Sequence, residues 1–190
     1  MRHAPLDLDA LGVAQETTQA IVVTTHLETG EPRYIEPQGR DWMDALVASS
    51  SLPMVTRGKV KFRGEWMFDG GYSDPLPLDK ALDMGGRHIL VVRTRPMGDH
   101  ASQSYVDSFG MYWHRHNKVL APLFLEGYER YNDTVDRLLR GGDNHGRTWE
   151  EIAPPYPLQT DAWTVGAKEV AQDYRLGVDT AMNWWAHRHL

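Results

Sequence analysis

Two clusters in this sequence combine residue types and spacing that suit chemistry. One is an aspartate followed at once by two glycines, Phe68-Asp69-Gly70-Gly71. The other is a serine run upstream, Ala48-Ser49-Ser50-Ser51-Leu52-Pro53. A carboxylate held at the end of a strand can orient a neighbouring hydroxyl nucleophile or take its proton. Two glycines directly after it allow a tight turn and a close approach of backbone. The same tripeptide also suits a plain turn leaving a strand, because Asp and Gly are the commonest turn residues.

The elements that must position these residues can be read from the surrounding pattern. Residues 18–25, Thr-Gln-Ala-Ile-Val-Val-Thr-Thr, form a β-branched run that predicts a buried strand. Glu28-Thr29-Gly30-Glu31 reads as a turn and Pro32-Arg33-Tyr34-Ile35 as a short return strand. Asp41 is placed to cap a helix through Val47 that Pro53 stops. Lys59 to Asp69 predicts a hairpin turning at Gly64-Glu65, with Asp69 at its far end. A helix is expected over Pro77–Met84, ended by Gly85-Gly86, and His88–Arg93 then reads as a second buried strand.

From about Tyr105 the pattern turns helical. Val119, Leu120, Leu123, Phe124, Tyr128, Val135, Leu138 and Leu139 recur at roughly helical spacing. Trp149-Glu150-Glu151-Ile152 reads as a short strand, and Ala167 to about Ala186 as a last helix. Strands alternating with helices predict the α/β class with a mainly parallel sheet, followed by a helical C-terminal region. Two or three strands rarely complete such a sheet, since sheets usually have about four to six. The chain is therefore expected to begin in the middle of a fold.

Order and spacing carry a resemblance. An alanine-serine-serine-x-leucine-proline segment precedes Asp69-Gly70-Gly71. A proline-led helix and the valine-rich strand ending Val91-Val92-Arg93-Thr94-Arg95-Pro96 follow it. Upstream stands the Thr-rich, Gly-containing run Val23-Thr24-Thr25-His26-Leu27-Glu28-Thr29-Gly30-Glu31. Downstream stand Tyr128-Glu129-Arg130-Tyr131-Asn132 and Ile152-Ala153-Pro154-Pro155-Tyr156-Pro157-Leu158. Together, from roughly Thr18 to Trp185, these resemble the bacterial branch of the patatin-like phospholipase family.

The resemblance implies a partial patatin-like three-layer fold. Residues 1–100 would be the C-terminal part of its catalytic domain, and residues 101–190 a mostly helical region packing on it. It also implies a serine acyl hydrolase that cleaves phospholipid or other lipid esters with a Ser–Asp dyad. Asp69 would be the base, with Gly70, Gly71, Ser49 and Ser50 in the active-site neighbourhood. The family's Gly-x-Ser-x-Gly elbow and glycine-rich oxyanion loop have no counterpart in these 190 residues. In the family both lie ahead of the matching region, so an incomplete chain lacking the serine is expected. Gly71-Tyr72-Ser73-Asp74-Pro75 imitates the elbow, but it ends in proline, and Ser73 reads as a turn residue. The alternative is a short form of the same fold that binds lipid or protein without catalysis.

Composition sets the remaining bounds. The net charge of -6 offers no basic footprint for nucleic acid. Cysteine is absent, which excludes disulfides, thiolate metal sites and a cysteine nucleophile. No metal or other cofactor is expected, because His114-Arg115-His116 and His187-Arg188-His189 lack the spacing of a shared ligand face and read as solvated. The expected partner is a lipid or ester substrate, with peripheral membrane contact and self-association along an open sheet edge as further expectations. Trp184-Trp185 could meet lipid, but core anchoring is the expectation. No apolar stretch follows the basic residues at the start, and cytoplasm is the default compartment.

Overall fold

The computed structural model describes residues 7–53, 58–103, 108, 110–112, 115–161 and 165–188. The chain divides into two compact units, Met1–Pro77 with Ser102–Tyr131, and Leu78–Ala101 with Asn132–Leu190. Tyr105, His114 and His189 lie outside the described residues.

The first unit is built on a four-stranded sheet in the order β2-β1-β4-β3. Its strands are β1 (Val22–His26), β2 (Pro32–Ile35), β3 (Val60–Phe62) and β4 (Glu65–Asp69), preceded by helix α1 (Leu8–Ala14). Every pairing in it is antiparallel, including β1 with β4, where Thr24 faces Asp69 and Thr25 faces Phe68. This corrects the expected mainly parallel sheet, while the α/β class stands. Short turns make the two expected hairpins, β1–β2 and β3–β4, antiparallel, since a parallel pair needs a crossover of a dozen or more residues. β1–β4, separated in sequence by β2, α2 and β3, is antiparallel as well, and this pairing overturns the expectation.

Those turns are local chemistry. Gly30, with φ 72°, closes the first. Arg63 (φ 48°) and Gly64 (φ 91°) form the second, a pair of left-handed residues matched to the twist of a hairpin. The turn thus sits one residue earlier than Gly64-Glu65. Helix α2 (Asp41–Ser49) packs Trp42, Ala45 and Ala48 into a core with Val22, Ile35, Phe62 and Met67. Arg40, not Asp41, occupies its N-cap position, and it makes no side-chain capping bond. Asp41 lies inside the first turn, where a negative charge suits the helix dipole, and its Oδ2 accepts from Arg63 Nη2 at 2.7 Å. A second core joins Phe68 to Leu120, Leu123 and Phe124 at the start of α4 (Leu120–Leu138).

The second unit contains α3 (Leu78–Asp83), strands β5 (His88–Val92) and β6 (Thr148–Ile152), and α5 (Ala167–Arg188). Helix α3 ends as expected: Gly85 takes φ 90°, and the N–H groups of Gly85 and Gly86 reach the carbonyls of Leu82 and Ala81. β5 and β6 pair in parallel, with Ile89 beside Trp149 and Val91 beside Glu151.

β5 is not the buried strand its composition predicts. Leu90 is 45% exposed and Val92 71%. Its period is right, but only the face carrying Ile89 and Val91 is covered. Between the strands, Arg93 and Glu151 form a buried ion pair, with Nε and Oε2 2.9 Å apart. The expected core role of Trp184-Trp185 is also corrected: α5 has no buried residue, and Trp185 is 56% exposed. Val170, Tyr174, Val178 and Met182, four residues apart, are exposed along the same helix. A helical apolar period predicts burial only where a second surface meets it.

Candidate functional site

Asp69 is the last residue of β4, and its backbone is fixed on both sides. Its N–H donates to the carbonyl of Ser51 at 3.0 Å. Its own carbonyl accepts from Thr25 Oγ1 at 2.7 Å. Thr25 is fully buried on β1, and its hydroxyl also lies 2.8 Å from Ser73 Oγ. The acid therefore stands between the sheet interior and the segment leaving α2.

The two glycines do different work. Gly70 is buried, and a Cβ there would lie 2.3 Å from the carbonyl oxygen of Val23, a distance no side chain tolerates. Glycine is thus required for β1 and the turn to touch. Gly71 presents its N–H to Asp69 Oδ1 at 2.7 Å. Gly70–Tyr72 then form one turn of 3-10 helix, extended by bonds from the N–H groups of Ser73 and Asp74 to the Gly70 carbonyl. Tyr72 anchors this turn. Its ring packs on Phe68 at 5.6 Å and edge-on against Phe124 at 5.0 Å, and its carbonyl accepts from Arg130 Nη2 at 3.0 Å.

The Asp69 carboxyl is held above its ordinary pKa by burial, with the Gly71 N–H acting in the opposite direction. Oδ2 makes no hydrogen bond among the described residues. One oxygen is thus anchored and the other is open. A half-buried carboxylate in that arrangement can accept a proton from a hydroxyl brought to its open oxygen.

The serine run sorts itself by helix phase. Ser50 Oγ donates back to the Leu46 carbonyl at 2.8 Å, and Ser51 Oγ to the Val47 carbonyl at 2.6 Å. Ser49 is half-buried in the last turn of α2. Ser51 is the one bonded to Asp69, through its backbone. Ser49 and Ser50 make no hydrogen bond to the acid among the described residues. Ser73 faces Thr25 and, at 3.4 Å, the Gly70 carbonyl. Thr25 is the participant the sequence reading missed. Its Thr-rich run was visible, but nothing in a linear pattern marks which threonine faces a carbonyl 44 residues away. No group of three or more His, Asp or Glu among the described residues is gathered as a metal cluster. Nor is any described helix long and apolar enough to cross a membrane.

Comparison with known proteins bears on this geometry. Residues 9–82, which contain α1 from Asp9 onward, the four-stranded sheet, the Asp69 turn and α3 up to Leu82, match the family model described as Patatin-like phospholipase. The chain is also similar to the Uncharacterized protein YjjU of Escherichia coli (strain K12), at 29% identity over 154 residues. That similarity covers 77% of this chain and 41% of YjjU, so the chain spans about two-fifths of the relative's length.

Proposed function

We propose, from the premise that residues 9–82 are a patatin-like phospholipase segment, that Asp69 is the proton acceptor of a serine acyl hydrolase acting on lipid or small esters. The observation that carries this reading is the asymmetry of the carboxylate. Oδ1 is locked on the Gly71 N–H, Oδ2 is open, and burial favours the protonated form. A base of this kind takes the proton of a serine hydroxyl as it attacks an ester carbonyl, then returns it to the leaving alkoxide. Matching the base's pKa more closely to working pH makes both transfers easier.

The reading assigns the attacking serine, and the backbone donors for the oxyanion, to polypeptide other than these 190 residues. The sequence holds no Gly-x-Ser-x-Gly. Ser73 is a poor substitute, because its hydroxyl is engaged with Thr25 and Gly70.

Hydrolysis of p-nitrophenyl butyrate tests this directly, comparing the chain alone, the chain extended upstream in its reading frame, and the extended chain with Asp69→Asn. The expected result is activity in the extended chain only, lost by a factor of about 100 or more in Asp69→Asn. Activity in the 190-residue chain, or an unaffected Asp69→Asn, would overturn the assignment.

A further inference from the structure

The second unit holds a cavity of about 430 Å3 that the Asp69 reading does not use. Arg137, Arg140 and Arg147 line it, together with Asn144, His145 and Trp149. Three guanidiniums around one hollow reverse the sign of a chain whose net charge is -6.

Carboxylates temper that charge without cancelling it. Asp79 holds Arg137 in a two-pronged pair at 2.6 and 2.7 Å. Asp143, the one acid in the lining, accepts from Arg147 Nε at 2.6 Å, which leaves Nη1 and Nη2 of Arg147 outside that bond. Arg140 is exposed and makes no side-chain hydrogen bond or ion pair among the described residues. After both pairs are counted, the charge of Arg140 remains.

The loop is built around its own acid. Asp143 Oδ1 accepts the N–H groups of His145 at 2.9 Å and Arg147 at 3.2 Å, while the Asp143 N–H donates to the Arg147 carbonyl at 3.0 Å. Gly141 and Gly146 supply the left-handed backbone at either end, with φ of 66° and 75°. Both carboxylate oxygens are thus engaged by the loop, which lowers their repulsion of an incoming anion and fixes the residues that line the hollow.

We propose that this cavity binds a phosphate monoester, with Arg140 and the terminal nitrogens of Arg147 as its cationic donors and Asn144 and His145 beside them. The planar guanidinium matches two phosphate oxygens at once, and charge-assisted bonds of this type are the strong ones. The cavity volume falls in the range of small-molecule sites, so the group would arrive on an organic body rather than as bare phosphate. That body is either a free solute or the headgroup of a lipid. The site is independent of the hydrolase reading, and its test involves no catalysis.

The test is calorimetric titration of the 190-residue chain with glycerol 3-phosphate at low salt. A parallel arm measures co-sedimentation with phosphatidylcholine vesicles, with and without phosphatidic acid. Arg140→Gln removes the cation that has no partner to lose. Lys168→Gln makes the same charge change elsewhere in the unit. Saturable binding that falls about tenfold in Arg140→Gln, and not in Lys168→Gln, supports the site; tenfold is what one charge-assisted bond supplies. Binding to glycerol 3-phosphate alone assigns a soluble ligand, and binding only to phosphatidic acid vesicles assigns a headgroup. No saturable binding in either arm would overturn the proposal. So would a loss equal in the two variants, or none in Arg140→Gln.

Discussion

Asp69 and Ser51 are joined backbone to backbone, the N–H of the acid to the carbonyl of the serine at 3.0 Å. The bond lies beyond the ladder pairings of β4, and it ties the end of that strand to the chain just past α2. The acid's position is therefore set by main-chain atoms, and its side chain can be altered without releasing the strand.

Asp69→Asn should fold, and should be more stable than the native chain at pH 7. Burial raises the folded pKa of Asp69. The native carboxyl thus contributes stability fully present below its unfolded pKa, and loses it as pH rises through the folded value. Asparagine keeps the acceptor for Gly71 and carries no charge to bury. Urea midpoints measured from pH 7 down to pH 4 should show the advantage of Asp69→Asn shrinking as the native carboxyl protonates. A constant difference across that range would assign it to something other than this titration.

The two glycines after the acid should differ sharply. Gly70→Ala forces a methyl to within 2.3 Å of the Val23 carbonyl oxygen. Backbone must move, at a cost of about 2–4 kcal/mol. At Gly71 the nearest atom to an added Cβ is Asp69 Oδ1, at 3.0 Å. A side chain can yield there, so Gly71→Ala should cost less than about 1.5 kcal/mol. Chemical denaturation of both variants checks the order.

Thr25→Val keeps shape and removes the hydroxyl that the Asp69 carbonyl and Ser73 share. A loss of about 1–3 kcal/mol is expected, because a half-buried carbonyl loses its donor. Thr25→Ser should recover most of it. A loss in Thr25→Ser with none in Thr25→Val would mean that the methyl, not the hydroxyl, matters at this position.

The buried pair Arg93–Glu151 should be worth less than its removal suggests. Burial raises the Glu151 carboxyl above its usual value, although Arg93 acts against this. Glu151→Ala takes a carboxylate away from a buried cation and should cost about 3–5 kcal/mol, whereas the double change Arg93→Met with Glu151→Leu should regain part of that loss. Part of the deficit would remain, since Arg93 also donates to the Pro96 carbonyl. Thermal unfolding of the single and double variants decides it.

Much of this was legible in sequence because it is local. Asp69-Gly70-Gly71 at a strand end, the return strand Pro32–Ile35, and the Gly85-Gly86 stop all follow from residues a few positions apart. Strand direction was legible inside the two hairpins and not between them. The run through Val22 and Val23 reads the same whether β4, which follows only after β2, α2 and β3, pairs with it in parallel or antiparallel. Exposure of Leu90, Val92 and Trp185 was hidden for a similar reason, since burial belongs to the partner surface and not to the stripe. In the serine run, choosing Ser51 over Ser49 and Ser50 required the helix phase to within one residue. The Arg140 cavity was invisible because its lining joins α3, the end of α4 and the loop before β6.

The pairing of β5 with β6 has a consequence for how the chain acquires its structure. His88 meets Thr148 across 60 residues, while the first unit's hairpins turn within a few. Closing a long loop loses more chain entropy before any contact rewards it, and distant parallel pairings form slowly. Each hairpin of the first sheet can thus form as it leaves the ribosome, but β5 has no strand to pair with until β6 has been synthesised. Over that interval Ile89 and Val91, the strand's two inward residues, are the ones a chaperone or a neighbouring chain could capture.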